Sequence, residues 1–285
     1  MIADRDKAAR ELIAFYHEAG IDAAIGEEPV DRLAEELTPA LGAPEGNRAG
    51  ATTAAARERV RTFPPSAPPS RTRTAPPQAP AAPEAAIMAA REAARSAASL
   101  EELRAILDAF EGCALRATAT QLVFADGNPQ AQLMFVGEAP GRDEDIEGLP
   151  FVGRSGKLLD RMLAAIGLDR KSAYIANIVP WRPPGNRTPT PQETAICLPF
   201  TRRQIELVDP DIVVCLGNPS TQTLLSTNEG ITKTRGRWFR FQTGTREIRA
   251  MPTFHPAFLL RNPISKRLAW RDFLAIKKAL AATTS

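Results

Sequence analysis

Short apolar runs alternate with amphipathic stretches through the C-terminal two thirds of the chain. The apolar runs predict strands and the stretches between them predict helices, because a parallel strand buried on both faces is continuously apolar whereas a surface helix is apolar along one side. The predicted strands are residues 133–137, 174–179, 212–217, 238–242 and 247–253, and the predicted helices are residues 155–166, 191–208 and 265–281. This alternation predicts a parallel sheet flanked by helices.

The first 84 residues have a different pattern. Apolar side chains recur near a 3.6-residue period in residues 5–20, and a second short helix is predicted at residues 30–37. Residues 39–84 contain 10 of the 25 prolines and almost nothing to bury. We therefore predict three parts: a small helical segment at residues 1–38, a disordered Ala/Pro-rich tether at residues 39–84 and a folded domain at residues 85–285.

Composition and charge narrow the classes of function. The net charge of +3 is unevenly distributed along the chain. Residues 1–38 carry 4 basic and 10 acidic side chains, whereas residues 85–285 carry 26 basic and 20 acidic side chains. A basic excess of this size permits contact with a polyanion but does not require it. No run of eighteen apolar residues and no signal-like N-terminus occurs, and the 3 cysteines form no CxxC pair. We expect no membrane span, no disulfide framework and a reducing cytoplasm.

The segments that follow the predicted strands contain the candidate chemistry, because ligands of open α/β sheets bind beyond the carboxyl ends of the strands. A loop rich in glycine and proline follows the first strand, and the helix that begins near Ser155 could offer free N–H groups to a phosphate; a plain turn is the alternative. Asn177 stands in an apolar run, where its amide either reads a base or is structural. His255, the only histidine of residues 85–285, is catalytic or structural.

Four blocks in this order resemble the uracil-DNA glycosylase superfamily, and specifically its family 4 enzymes, over residues 105–280. They are GEAPG at 137–141 with Glu144 and Asp145 close behind, PFVGRSG at 150–156, NIVPWRPPGNRTP at 177–189 and HPAFLLR at 255–261. The resemblance implies a three-layer α/β fold with a central, mostly parallel four-stranded sheet. It also implies a DNA repair hydrolase that flips deoxyuridine out of single- or double-stranded DNA, hydrolyses its N-glycosidic bond and leaves an abasic site.

The resemblance also implies a role for each of five residues around the base. Phe151 stands where the family stacks an aromatic ring on the flipped uracil, and the Asn177 amide would read O4 and N3–H. His255 would donate to O2 as negative charge develops on the departing base. Gly137 and Ala139 belong to the same substrate-binding set.

The group that activates water is left open among three acids. The best-known uracil-DNA glycosylases carry an aspartate in a GQDPY motif where this chain has Ala139, so that role does not transfer by position. Glu138 is our first choice to orient water or hold the loop. Glu144 and Asp145 are alternatives that we expect to be exposed on an acidic loop.

Contacts with DNA are also implied by the resemblance. Leu259 matches the apolar wedge that enters the duplex, and Arg187 and Arg261 would hold phosphates together with Ser155 at its helix N-terminus. The loop at residues 181–189 contains no histidine, the residue with which one branch of the superfamily traps its product, so we expect turnover without an adduct.

Family 4 enzymes hold a 4Fe-4S cluster with four cysteines, and only two of those positions are cysteine here. The second and fourth positions fall on Cys113 and Cys197, but the first and third fall on Phe110 and Trp181, which cannot supply a thiolate. Cys215 lies in a predicted strand and is expected to point into the core. We therefore expect no cofactor. The alternative is a residual metal site that Cys215 or a partner chain completes.

Two other classes of function compete with the glycosylase. One is a catalytically weak DNA-binding or scaffold protein of the same fold, and the other is an enzyme of free nucleosides, against which a wedge at Leu259 argues. For the glycosylase we expect a monomer in the cytoplasm, associated with the nucleoid, whose partner is uracil-containing DNA. In the scaffold alternative the tether recruits partner proteins.

Overall fold

The computed structural model of the protein describes residues 83–282. The predicted N-terminal segment at residues 1–38 and nearly all of the predicted tether lie outside the described residues. The described part begins with two helices, α1 (Pro83–Ser96) and α2 (Leu100–Ala109). The Ser99 hydroxyl caps α2 by accepting a hydrogen bond from the backbone N–H of Glu102. A serine followed three residues later by glutamate favours such a helix N-terminus.

The sheet has six strands in the order β1-β3-β2-β4-β6-β5. They are β1 (Asp126–Gly127), β2 (Leu133–Gly137), β3 (Tyr174–Asn177), β4 (Ile212–Leu216), β5 (Phe239–Gln242) and β6 (Glu247–Thr253). The four central strands are parallel, and the edge strands β1 and β5 are antiparallel to their neighbours. The expectation of a mostly parallel sheet is confirmed. The count of four strands that the resemblance implies is wrong, because the sheet has six; the apolar pattern predicted all of them except β1.

Seven further helices follow in the described residues, and those at residues 154–165, 191–208 and 266–281 confirm the three predicted amphipathic stretches to within one residue at either end. They are α3 (Arg142–Glu147), α4 (Arg154–Ala165), α5 (Pro191–Val208), α6 (Asn218–Leu225), α7 (Ile231–Thr234), α8 (Pro256–Arg261) and α9 (Lys266–Ala281). Short 3₁₀ turns lie at Ala114–Ala117, Arg170–Ser172, Pro184–Asn186 and Pro263–Ser265. Within residues 83–282 no helix is long and apolar enough to cross a membrane.

Helices cover both faces of the sheet and give it two cores. Met134 and Val136 of β2 pack toward α1, α2 and α5, whereas Leu133 and Phe135 pack toward α4 and α9. This division follows from the two-residue period of a strand, which sends alternate side chains to opposite faces. The three-layer arrangement leaves the carboxyl ends of the parallel strands free to carry a site.

Candidate active site

A cavity of about 610 Å³ opens at the carboxyl ends of the four parallel strands. Its walls come from the loops after β2, β3, β4 and β6, so residues far apart in sequence meet there. Nine of the eleven predicted site residues line it: Glu138, Ala139, Glu144, Phe151, Ser155, Asn177, Arg187, His255 and Arg261. Gly137 and Leu259 do not line it.

The Phe151 ring forms one wall of the cavity in a constrained backbone conformation. Its φ of +57° is in the left-handed region, which is unfavourable for a bulky side chain. The ring centroid lies 5.4 Å from that of the His255 imidazole, with the planes inclined by 32°. Gly156 permits this conformation, because a Cβ there would lie 1.6 Å from the Phe151 carbonyl oxygen.

Asn177 ends β3 and lies buried at the back of the cavity. Its Oδ1 finds no hydrogen-bond donor among the described residues, although buried carbonyl oxygens are normally satisfied. Gly137 makes room for this group, since a Cβ at Gly137 would lie 2.3 Å from Asn177 Oδ1 and 2.7 Å from Phe151 Cζ. Gly137 therefore matters because it has no side chain, which leaves room for the Asn177 amide and the Phe151 ring. The unpaired Oδ1 of Asn177 is available to a ligand.

His255 is the N-cap residue of α8, and its two ring nitrogens have different surroundings. Nδ1 accepts a hydrogen bond from the backbone N–H of Ala257 at 3.1 Å. Burial, with the nearby charge of Arg261, lowers the pKa of His255 to about 4. The imidazole is therefore neutral at pH 7, and because Nδ1 is an acceptor, its proton is on Nε2, which can act as a donor.

Glu138 follows β2 directly and is half-buried in the cavity wall. Its Oε1 is buried and has no hydrogen-bond partner among residues 83–282. Burial raises the pKa of this carboxyl above its ordinary value. An unpartnered carboxylate oxygen can accept a hydrogen bond from water, as a general base must, and its charge can stabilise a developing cation.

Glu144 and Asp145 are buried, so the expectation that they are exposed acids is wrong. The Glu144 carboxylate accepts hydrogen bonds from the backbone N–H groups of Gly141, Val152 and Gly153 at 3.0 to 3.1 Å. Asp145 accepts two hydrogen bonds from Thr120, each 2.8 Å long. Glu144 thus ties the segment before α3 to the segment after Phe151, and its oxygens are already occupied by the loop.

The residues predicted to contact phosphates differ in whether they are already paired with a carboxylate. Arg187 forms a two-pronged ion pair with Glu193, at 2.6 and 2.8 Å. Arg261, in contrast, is exposed at the rim of the cavity and forms no ion pair within the described part of the chain. Ser155 lies in the first turn of α4, whose N-terminus faces the cavity. Arg261 and this helix terminus are therefore the sites most available to a phosphate.

The role of wedge assigned to Leu259 is contradicted by its burial. Leu259 is 1% exposed and packs against Phe254 and Ala269, so it could enter a duplex only by leaving that small core. The helical turn of α8 points Leu260 outward instead, and it is 36% exposed. The sequence could not distinguish the two adjacent leucines, because which one faces outward depends on how α8 packs.

The cavity wall also contains residues that the sequence analysis did not single out: Leu216, Asn218, Ile231, Phe254 and Phe258. Leu216 and Asn218 flank the end of β4, where ligand contacts are expected by the strand-end rule. Phe254 and Phe258 flank His255, and their rings are 4.9 Å apart. Proximity to a predicted strand end is a signal that could have identified all of these residues except Ile231.

The two cysteines that match family cluster positions do meet, in the core between the sheet and α5. Their Sγ atoms are 3.9 Å apart, and both side chains are buried. Trp181 is buried in the same core, and the Phe110 ring packs edge-on against that of Phe200, with centroids 5.1 Å apart. Among the described residues no group of three or more His, Cys, Asp or Glu side chains could hold a metal ion. These residues do not fit a four-cysteine cluster, because two of the four positions carry the phenyl ring of Phe110 and the indole of Trp181 in place of a thiolate.

Cys215 lies in β4 and is fully buried, as expected from its place in a strand. Burial raises the pKa of its thiol to about 12, so it remains protonated at neutral pH. A buried, protonated thiol in a strand is a structural side chain.

Comparison with known proteins assigns the chain to a family. Residues 124–274 match the family model described as the uracil DNA glycosylase superfamily. The type-4 uracil-DNA glycosylase of Sulfurisphaera tokodaii is 41% identical over 185 residues, which cover 63% of this chain and 84% of that protein. The type-4 uracil-DNA glycosylase of Thermotoga maritima is 44% identical over 151 residues, which cover 53% of this chain and 77% of that protein. The chain belongs to the uracil DNA glycosylase superfamily.

Proposed function

We propose that the protein is a uracil-DNA glycosylase that hydrolyses the N-glycosidic bond of deoxyuridine in DNA, releasing uracil and leaving an abasic site. The observation that carries the proposal is the meeting of Phe151, Asn177 and His255 in one cavity at the strand ends. Together they offer an aromatic face, a buried amide and a neutral donor, which are the groups needed to stack, read and release a flipped base. The names of the relatives support the same activity.

Asn177 supplies the selection of uracil. Its buried Oδ1 lacks a donor in the free protein, and the N3–H of uracil would satisfy it. Cytosine has no hydrogen on N3, so it would leave this oxygen unpaired and present its own amino group to the amide. Sites that leave a buried polar group unpaired reject the wrong ligand strongly.

His255 stabilises the departing base. As the glycosidic bond breaks, negative charge develops on uracil O2, and the His255 Nε2–H is the donor we assign to it. Because its pKa is lowered to about 4, the imidazole reaches this step neutral, and it stabilises the product by a hydrogen bond from Nε2–H and not by a positive charge. Removing a preorganised donor of this kind typically costs about 3 to 4 kcal/mol of transition-state stabilisation.

Glu138 is the group that we assign to water. Glu144 is unsuited to that task, since three backbone N–H groups already occupy its carboxylate. The unpartnered Oε1 of Glu138 can accept from a water molecule or stabilise a cation-like sugar by its charge. The first-choice assignment from the sequence therefore stays the preferred one, and Glu144 becomes a residue that positions the loop.

For DNA we assign Arg261 and the N-terminus of α4 at Ser155 to phosphates, with Leu260 in place of Leu259 as the apolar side chain that enters the duplex. Ser155 and Arg261 line the cavity, and Leu260, which precedes Arg261 in α8, is 36% exposed. Arg187 would contribute charge only in part, because Glu193 pairs with it. Phosphate contacts make affinity fall with salt concentration, and they carry no sequence preference.

We propose further that the protein works without a 4Fe-4S cluster, as a monomer in the cytoplasm beside the chromosomal DNA that is its substrate. The buried Trp181 and the partly buried Phe110, which stand at two cluster positions, support the first statement. Anaerobic purification followed by iron and sulfide analysis tests it. We expect a colourless protein, and close to four irons per chain would overturn this part of the proposal.

Cleavage of a uracil-containing oligonucleotide, read as abasic sites, tests the function itself. His255→Ala is expected to lower the single-turnover rate roughly 100- to 1,000-fold with little change in the Kd for DNA. DNA binding without abasic sites in the unaltered chain would support the scaffold alternative and overturn the proposal. Cleavage of free deoxyuridine at a comparable rate would favour a nucleoside enzyme instead.

A further inference from the structure

Arg170 lies outside the cavity, in the 3₁₀ turn before β3, and its guanidinium makes four contacts. It pairs with Asp126 at 2.5 Å and with Asp160 at 2.7 Å. The same group donates to the carbonyl oxygen of Pro150 at 3.1 Å and to that of Phe151. Two carboxylates thus orient a guanidinium that binds two consecutive carbonyls of the cavity loop.

Those two carbonyls belong to the segment with the least favourable backbone conformation in the cavity. Phe151 has a positive φ, and its ring must keep this conformation to form the wall beside His255. Such a conformation persists only where the surroundings hold it. Gly156 holds the Phe151 carbonyl from one side by close approach, and Arg170 holds it from another by a charged donor.

We infer that Arg170 is a positioning residue for base stacking: it fixes the backbone of Phe151 so that the ring meets the flipped uracil. The inference rests on the proposed function. Arginine is needed because a planar fork can reach two carboxylates and two carbonyls at once, whereas the single ammonium of lysine cannot. Arg170 does not line the cavity, so its effect on a base bound there must pass through Phe151.

The test compares Arg170→Lys with Arg203→Lys as a matched control. Arg203 has a similar side-chain exposure, 27% against 23% for Arg170, and it also binds a backbone carbonyl, that of Ala97, and a carboxylate, that of Glu206. It joins α5 to the end of α1 and does not line the cavity. Both variants keep the charge and lose the fork, so they should lose similar amounts of thermal stability.

Three measurements separate positioning from general structure: the single-turnover rate, inhibition by free uracil and the Tm. We expect Arg170→Lys to lower the rate roughly 10- to 100-fold and to weaken uracil inhibition by a similar factor, because a small misplacement of a contact group has effects of that size. Arg203→Lys should stay within about twofold in both. An Arg170→Lys variant indistinguishable from Arg203→Lys would overturn the inference.

A double variant tests the route of the effect. In a Phe151→Ala background, Arg170→Lys should cost less than about threefold, because the ring through which it acts is gone and coupled residues are not additive. Full additivity would refute the route through Phe151. If Arg170→Lys fails to fold, Asp160→Asn removes one of the orienting carboxylates at a side chain that is 45% exposed. Asp160→Asn should also weaken inhibition by free uracil, by a smaller factor than Arg170→Lys. An unchanged inhibition constant would refute the inference.

These outcomes are distinguishable from failure of the proposed function. Should the unaltered chain leave uracil DNA intact, the function itself is wrong. Should it cleave while Arg170→Lys behaves like Arg203→Lys, only the positioning role is wrong.

Discussion

Trp181→Ala is expected to destabilise the protein far more than Cys197→Ala. Trp181 is among the largest fully buried side chains of the described residues, in the core that also holds Cys113 and Cys197. A buried tryptophan removes about 150 to 250 Å² from water, which at about 25 cal/mol per Å² corresponds to about 4 to 6 kcal/mol. Truncation to alanine in a core typically costs about 3 to 5 kcal/mol, because a cavity remains.

Cys197→Ala removes one sulfur atom and its contact with Cys113 at 3.9 Å. We expect a loss of only about 1 to 2 kcal/mol, the scale of one or two buried methylene groups with a small cavity. The ranking rests on the proposal that aromatic side chains, and not a metal, fill this part of the core.

Urea unfolding of the full chain, followed by circular dichroism, measures both losses, and an unchanged m-value would show that the unfolded reference is the same. A metal held by the cysteines reverses the ranking, since loss of a structural metal unfolds small cores outright. A larger loss for Cys197→Ala than for Trp181→Ala, or a fall in stability on treatment with an iron chelator, would therefore refute the reasoning.

Four further predictions concern the cavity and the chain before it. Asn177→Asp should relax discrimination toward cytosine in cleavage assays, and inactivity on both bases would count against the reading role. Gly137→Ala should weaken inhibition by free uracil, because the added Cβ would lie 2.3 Å from Asn177 Oδ1. An unchanged inhibition constant would show that the residues around Gly137 can move to accommodate the methyl group. Because burial raises the pKa of Glu138, its carboxylate is protonated as the pH falls through a value above that of ordinary glutamate, and the cleavage rate should fall over that range. Glu138→Gln should remove this pH dependence of the rate. The same variant should increase the free energy of unfolding at neutral pH, where the buried charge of Glu138 is unfavourable. A chain that begins at Pro83 should fold and cleave uracil DNA, and loss of activity on truncation would move the domain boundary.

The strands, the long helices and the place of the site could be predicted because each depends on a local pattern. Continuous apolar runs marked the buried strands, and the strand-end rule directed attention to Asn177 and His255. The edge strand β1 was missed because its two residues, Asp126 and Gly127, leave no pattern to detect.

The residues that were misplaced depend on long-range packing instead. Leu259 faces inward because of its neighbours in the small core, and Glu144 is buried because backbone N–H groups on both sides of α3 converge on it. Arg170 binds Asp126 across 44 positions of sequence, a separation at which no spacing rule operates. Such contacts are determined only once the chain has folded.

The three hydrogen bonds that converge on Glu144 bear on how the protein meets its substrate. They close the loop from Gly141 to Gly153 into a ring whose ends are held by one buried carboxylate. A loop tied in this way does not have to be ordered when the base arrives, so little conformational entropy is lost by the protein on binding. We expect the rate of productive encounter to be governed by how readily the DNA opens, so that uracil in a mismatch or a single strand is removed faster than uracil in a stable pair.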